Sequence, residues 1–355
     1  MAEDVSRAAS SDPTHAITIP ELALVVLIGA SGCGKSTFAR RHFGPFEVLS
    51  SDFCRGLVSN DENDQSASAA AFDVLHYVAA RRLERGLLTV VDATNVQPEA
   101  RKPLVELARR YHVLPVAIVL DLPARLCEDR NRARPDRAFG PHVIRQQHSQ
   151  LRRSLRGLQR EGFRHVHVLR STAEIDTVTI ERQPLWNNRK TDHGPFDIIG
   201  DVHGCFDELE ELLVMLGYEL DANGTRRHPG GRKAIFLGDL VDRGPRVPDV
   251  LRLVMDMVDA GTALALPGNH DVKLMRRLRG RDVQVSHGLA ESLAQLAREP
   301  EEFRARVADF IDDLVSHYVL DDGKLVVAHA GMKEEMQGRG SGRVRDFALY
   351  GETTG

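Results

Sequence analysis

Two kinds of phosphate chemistry can be read from residue types and spacing. Gly29 to Ser36 runs G-A-S-G-C-G-K-S, a full match to the phosphate-cradling pattern GxxxxGK[ST]. Glycines let the backbone turn its N–H groups inward around phosphates, and the following helix N-terminus adds partial positive charge. Gly29, Ser31, Gly32, Gly34, Lys35, Ser36 and Thr37 are therefore the nucleotide-binding candidates. Lys35 would reach the β and γ phosphates and Ser36 would hold Mg²⁺. This half points to addition of phosphate from a nucleoside triphosphate and does not name the acceptor.

The second chemistry lies far downstream in four clusters: D-x-H (Asp201, His203), G-D-x-x-D-R-G (Gly238 to Gly244), G-N-H-D (Gly268 to Asp271) and V-A-H-A-G around His329. Two divalent ions about 3.5–4 Å apart can clamp the attacking and leaving oxygens of a phosphoryl displacement. Such a site needs a bridging carboxylate, for which Asp239 is the candidate. Asp201 and His203 would complete the first ion, with Asn269 and His329 serving the second. Arg243 would hold phosphate oxygens, and His270, oriented by Asp242, would protonate the leaving oxygen. Each cluster follows a short apolar run, so all four are expected at one sheet edge. His287 reads as a helix cap, a core residue or a site neighbour; His193, His228 and His317 read as structural or surface residues.

Elements to position these residues are visible in the hydrophobic pattern. ELALVVLIGA, FEVLSSD, LLTVVDATN and LPVAIVLDLP read as strands, alternating with helices at STFARRHF, Gln65 to Glu84 and PEARKPLVELARRY. That alternation implies a parallel sheet covered on both faces. Residues 125–164 are arginine-rich and mostly helical. TIERQPLWNNRKTDHGPF is polar and broken by Pro and Gly, so 171–193 is expected to be a linker after a 1–16 tail and a 17–170 P-loop domain. A second α/β sandwich then occupies 194–355, with strands FDIIGD, KAIFLGD, TALALPGNH and KLVVAHAG and helices ELEELLVMLGY and DVLRLVMDMVDAG.

Bulk properties agree with two domains. At 355 residues the chain exceeds one ordinary core. A 42% hydrophobic and 28% charged composition is that of a globular protein, and a net charge of −4 imposes no global demand for a nucleic-acid partner. The four cysteines, Cys33, Cys54, Cys127 and Cys205, form no CxxC and no disulfide framework, which fits a reducing compartment. MAEDVSRAASSDPTH lacks the apolar run of a signal peptide, and no stretch reaches the roughly 18 apolar residues of a membrane span. A cytoplasmic protein without a membrane partner is the expectation.

The residues alone leave the acceptor side open. Asp52, in SSDFCRG after the second strand, is either a general base facing the phosphate end of the P-loop or a helix N-cap. Asp92 either assists Mg²⁺ through water or caps a turn. Between Arg125 and Arg164 there are eleven Arg against four acidic residues. Of these, Arg130, Arg132, Arg134 and Arg137 either close over a triphosphate, track a polynucleotide backbone, or form a solvated helix face.

GASGCGKSTFAR, LSSDFCRGLV, VVDATN and RNRARPDR, followed by a binuclear metallophosphatase, resemble the bacterial polynucleotide kinase-phosphatases of RNA repair over nearly the whole chain. The resemblance implies a P-loop kinase domain with a parallel sheet, then a calcineurin-like metallophosphoesterase. It puts Lys35 and Ser36 on ATP and Mg²⁺, Asp52 as general base, Arg55 on the substrate phosphate, and Arg130 and Arg134 in a lid. It further implies phosphorylation of 5′-hydroxyl RNA ends and removal of 2′,3′-cyclic or 2′/3′-phosphates with binuclear Mn²⁺ or Ni²⁺. Cleavage of RNA by attack of its 2′-hydroxyl leaves those two ends, so opposite chemistries suit one healing enzyme.

Two departures stand out. The family continues into a ligase domain with a KxDG lysine, which this sequence lacks, and no histidine follows His329 before YGETTG. A phosphatase domain incomplete at its C-terminus, one ligand short at the second metal and weakly active, is therefore the expectation. An RNA 2′-O-methyltransferase acts with the ligase portion in the family's full-length system; a homodimer is left open. The competing readings are a small-molecule P-loop kinase fused to a dinucleotide or protein phosphatase, and a regulatory nucleotide-binding module.

Overall fold

The computed structural model describes residues 16–133 and 140–352. The chain forms two compact units that divide between Leu185 and Trp186.

Strands of the first unit are β1 (Ala16–Pro20), β2 (Ala23–Ile28), β3 (Val48–Ser50), β4 (Thr89–Asp92), β5 (Leu114–Leu120), β6 (His165–Leu169) and β7 (Thr179–Gln183). Five make an all-parallel sheet in the order β3-β4-β2-β5-β6, while β1 and β7 pair in parallel apart from it. β2 is buried along its whole length. Its alternate residues serve opposite faces: Leu24, Val26 and Ile28 enter one core, Ala23, Val25 and Leu27 the other. That is why ALVVLI is a continuous apolar run rather than an alternating one. The covering helices are α1 (Lys35–His42), α2 (Ser51–Ser59), α3 (Ser68–Glu84), α4 (Pro98–Arg110), α5 (Ala124–Arg132), α6 (Pro141–Ser154), α7 (Leu158–Glu161) and α8 (Thr172–Thr177). Arg101 of α4 is fully buried, which is tolerable because it donates to Glu161 twice (2.6 and 2.7 Å) and to the Asn95 carbonyl (2.8 Å).

In the second unit the strands are β8 (Asn188–Arg189), β9 (Phe196–Ile199), β10 (Glu219–Leu220), β11 (Arg226–Arg227), β12 (Lys233–Phe236), β13 (Ala263–Ala265), β14 (His317–Leu320) and β15 (Leu325–Ala328). β13-β12-β9 is a parallel sheet, β15-β14-β8 a mixed one, and β10 and β11 form an antiparallel ribbon. Ile235 and Leu264 of the first sheet meet Leu320 and Val327 of the second in one buried cluster, so the sheets form a sandwich. The helices are α9 (Phe206–Met215), α10 (Val247–Asp259), α11 (Asn269–Leu278), α12 (Leu289–Leu296), α13 (Glu301–Asp313) and α14 (Gly342–Tyr350).

Two expectations need correction. The 171–193 stretch is not a linker: it builds α8 and β7 of the first unit and β8 of the second, because polar edge elements lack the apolar run that marks a buried strand. The four phosphatase clusters do not share one sheet edge either. Three follow β9, β12 and β13, whereas His329 follows β15 of the other sheet.

His317, on β14, is fully buried. Its Nε2 accepts from Gly338 N–H (2.9 Å), which leaves Nδ1 to donate to Ser316 Oγ (2.9 Å). Burial pushes its pKa down to about 4. An unfolded chain takes up this proton near 6.5, so the stabilisation is full above about pH 6.5 and is lost as pH falls toward 4. Thermal unfolding between pH 7 and 4.5 is expected to show about 2–3 kcal/mol of acid destabilisation in the second unit. The His317→Gln variant should lose most of that pH dependence; an unchanged profile would remove His317 as its source.

Candidate active sites

In the first unit the P-loop leaves the carboxyl end of β2, where ligand crevices form in open α/β sheets. Gly32 and Gly34 adopt φ of 83° and 102°, and a Cβ at Gly32 would collide with the Cys127 carbonyl, so both positions require glycine. Lys35 opens α1, buried, with Nζ donating to the Gly29 and Ala30 carbonyls at 2.8 and 3.0 Å. Ser50, not Asp52, is the N-cap of α2: its hydroxyl accepts from Phe53 N–H. Asp52 is thereby released from the capping alternative. It accepts from the buried Arg55 guanidinium at 3.0 Å. Both residues face a cavity of about 250 Å³ together with Lys35, Ser36 and the buried Asp92. Gln65, Ser68, Phe72, Val143 and Gln147 line the same cavity and were not found by sequence reasoning, which had no motif to flag them.

On the other side of the loop a cavity of about 280 Å³ is lined by Thr37, Arg130 and, from α8, Thr172 and Ile175. Arg130 thus sits at the P-loop, whereas Arg132 is exposed and pairs with Asp129. Arg134 and Arg137 lie outside the described residues.

The second unit gathers its expected ligands around one oxygen. Asp239 Oδ2 lies 3.9 Å from His203 Nε2, 4.0 Å from His270 Nε2 and 3.7 Å from His329 Nε2. Asp201 Oδ2 is 3.8 Å from His203 Nε2, and Asn269 Oδ1 is 3.1 Å from His329 Nε2. The backbone fixes two of these rings. His203 Nδ1 donates to the Val241 carbonyl and His329 Nδ1 to the Leu237 carbonyl, both at 2.8 Å. Each Nε2 therefore carries its lone pair inward, and buried His203 Nε2 has no hydrogen-bond partner among the described residues. Carboxylates and imidazoles converging on common points, with an orphaned nitrogen among them, fit divalent cations: His203, Asp239 and His270 form one such group and Asp201, Asp239 and His329 another, with Asn269 beside His329.

The surroundings hold this cluster under backbone strain. His203, Asp239, Asp242 and Arg243 all take positive φ (48°, 49°, 74° and 65°). His270 Nδ1 bonds Asp242 Oδ2 at 2.6 Å, as expected, and Asp242 Oδ1 accepts from Ser292 Oγ at 2.6 Å. Ser292 was not expected; a lone serine in a helix carries no sequence signal. Asp271 caps α11 by accepting from Gly268 and Leu240 N–H (2.8 and 2.9 Å), and burial pushes its carboxyl up to about 7. Arg243 is exposed next to Asp242, and His287 is exposed ahead of α12.

The calcineurin-like phosphoesterase family model matches residues 194–350, and an AAA-domain family model matches residues 24–158. The phosphoesterase match falls on the cluster just described. The chain belongs, through this unit, to the calcineurin-like phosphoesterases. The phosphoesterase unit is 48% identical over 164 residues to an asymmetrical bis(5′-nucleosyl)-tetraphosphatase PrpE of Halalkalibacterium halodurans. The match covers 45% of this chain and 66% of the relative. A protein of the same name from Bacillus subtilis is 41% identical, with 67% of its length covered. The chain thus spans about two thirds of the length of these curated relatives. A solved serine/threonine phosphatase from Saccharomyces cerevisiae aligns at 16% identity and a TM-score of 0.35, over 47% of this chain and 53% of its own. The chain is therefore an α/β protein with a P-loop, kinase-like domain followed by a calcineurin-like phosphoesterase domain, a fold class that implies nucleotide and divalent metal. Among the described residues no helix is long and apolar enough to cross a membrane.

Gly268 tests the cluster without touching a ligand. A Cβ there would collide with the Asp239 carboxylate and backbone nitrogen. Gly268→Ala is expected to weaken Mn²⁺ binding at least ten-fold by calorimetry while ATP binding to the other unit is unchanged. Undiminished Mn²⁺ affinity would mean that Asp239 is not a ligand.

Proposed function

We propose that the chain joins a P-loop kinase to a metal-dependent phosphohydrolase of nucleotide phosphates, of the kind named in its dinucleotide tetraphosphatase relatives. The observation that carries this reading is the ring of three imidazole nitrogens 3.7–4.0 Å from Asp239 Oδ2, in a unit 48% identical to such a relative. Mn²⁺ or Ni²⁺ bound there would supply Lewis acidity and a nucleophilic water near neutral pH. Asp239 would be shared by the two ions, with Asp201 and His203 holding one and Asn269 and His329 the other. His270 is held by Asp242 to donate a proton to the leaving oxygen, and exposed Arg243 is free to meet phosphate oxygens.

In the first unit Lys35, Ser36 and Thr37 receive ATP and Mg²⁺ with the N–H groups of Gly32 and Gly34, and Arg130 closes the other side; the Gly29 and Ser31 N–H groups are held by the Thr94 carbonyl and Gln147 Oε1 and shape the loop. Asp52 takes the proton of an acceptor hydroxyl while Arg55 orients it. A second reading, RNA end healing, is favoured by the Asp52–Arg55 pair set across the cavity from the P-loop. There the kinase acceptor is a 5′-hydroxyl RNA end and the phosphohydrolase substrate a 2′,3′-cyclic phosphate.

One assay separates the two. The chain is given ATP, Mg²⁺ and Mn²⁺ with either diadenosine tetraphosphate or an RNA carrying a 5′-hydroxyl and a 2′,3′-cyclic phosphate, and products are weighed by mass spectrometry. Dinucleotide cleavage lost in Asp239→Asn, with both RNA ends unchanged, supports the first reading. A 5′-phosphate lost only in Asp52→Asn, with a healed 3′ end lost only in Asp239→Asn, supports the second. Intact dinucleotide and RNA would overturn both.

A further inference from the structure

One residue on the kinase cavity has a bonding pattern that a mere wall residue does not need. Gln147, on α6, accepts a hydrogen bond from Ser31 N–H at 2.8 Å, across 116 positions of sequence. Because Ser31 N–H is a donor, the amide atom facing it must be Oε1, which fixes the orientation of the carboxamide. Its NH₂ end then occupies the other position. None of the described residues accepts a hydrogen bond from that NH₂ end, and Gln147 lines the cavity shared by Lys35, Ser36, Asp52 and Arg55. Val143, four residues earlier and thus on the same helix face, lines that cavity too.

We propose that Gln147 is a donor to the transferring phosphoryl group, aimed from α6 by its bond to the P-loop. This rests on the kinase reading above. In the reaction, the acceptor oxygen forms a new bond to the γ-phosphorus and the bond from that phosphorus to the β,γ-bridging oxygen breaks. ADP leaves with the electron pair, and the acceptor's proton passes to Asp52. Negative charge on the γ oxygens is met by Lys35 on the P-loop side and by the Gln147 NH₂ on the acceptor side. A donor already oriented before the substrate arrives costs no reorganisation when charge develops.

The design separates this role from that of a structural prop. Gln147→Glu keeps an oxygen for Ser31 N–H and removes the donor; Gln147→Met removes both. The full-length chain is assayed with γ-labelled ATP and Mg²⁺, with water and a 5′-hydroxyl RNA oligonucleotide as acceptors, and ATP affinity is measured separately by calorimetry. Expected are a fall in kcat of about 30- to 100-fold in both variants, and ATP affinity within about three-fold of wild type in Gln147→Met. Near wild-type turnover of Gln147→Glu, with weakened ATP binding by Gln147→Met, would reduce the residue to a support for the loop and overturn the proposal. Absence of transfer by the wild-type chain to either acceptor would overturn the kinase reading itself.

Discussion

Asp239 is a carboxylate only 4% exposed, and a charge taken out of water must be compensated on every side. One of its oxygens accepts from the His270 backbone N–H at 3.0 Å; the other faces the inward lone pairs of His203 and His329 Nε2, an arrangement that a cation between them would satisfy. Much of the second unit is arranged around this requirement. Strand ends from two sheets deliver the ligands, glycines 238 and 268 let the loops touch where no Cβ fits, and four residues accept left-handed backbone. The hydrophobic sandwich behind them holds those strained turns in place.

The first unit solves the opposite electrostatic problem. Its ligand is an anion, so the loop after β2 presents N–H groups and an ammonium rather than carboxylates and imidazoles. The Lys35 ammonium is held at the loop by donating to the carbonyls of Gly29 and Ala30. Both units place most of their chemistry at the carboxyl ends of parallel strands, with opposite charge; His329, after antiparallel β15, is the exception.

What was legible in the sequence follows from this. Chemistry borne by contiguous motifs, such as GASGCGKS or GDLVDRG, carries its own spacing, and buried strands such as ALVVLI are apolar without interruption. Asp201, His203, Asp239, Asn269 and His329 were all placed together by motif alone, as the structure now has them. Residues that act through one hydrogen bond across a long loop of chain left no trace. Ser292 bonds Asp242 over 50 positions and Gln147 bonds Ser31 over 116, and neither sits in a pattern. Edge elements such as β7 and α8 were hidden for another reason: half-exposed segments are polar, and a polar stretch with a proline reads as linker until its partner strand is known.

The three alternate residues Leu237, Asp239 and Val241 supply, in turn, the carbonyl that grips His329, the carboxylate at the hub and the carbonyl that grips His203. A single five-residue segment is therefore a ruler for three of the donors, Asp239, His203 and His329. Two imidazoles from different sheets are thus tied to one carboxylate through a single short stretch of backbone.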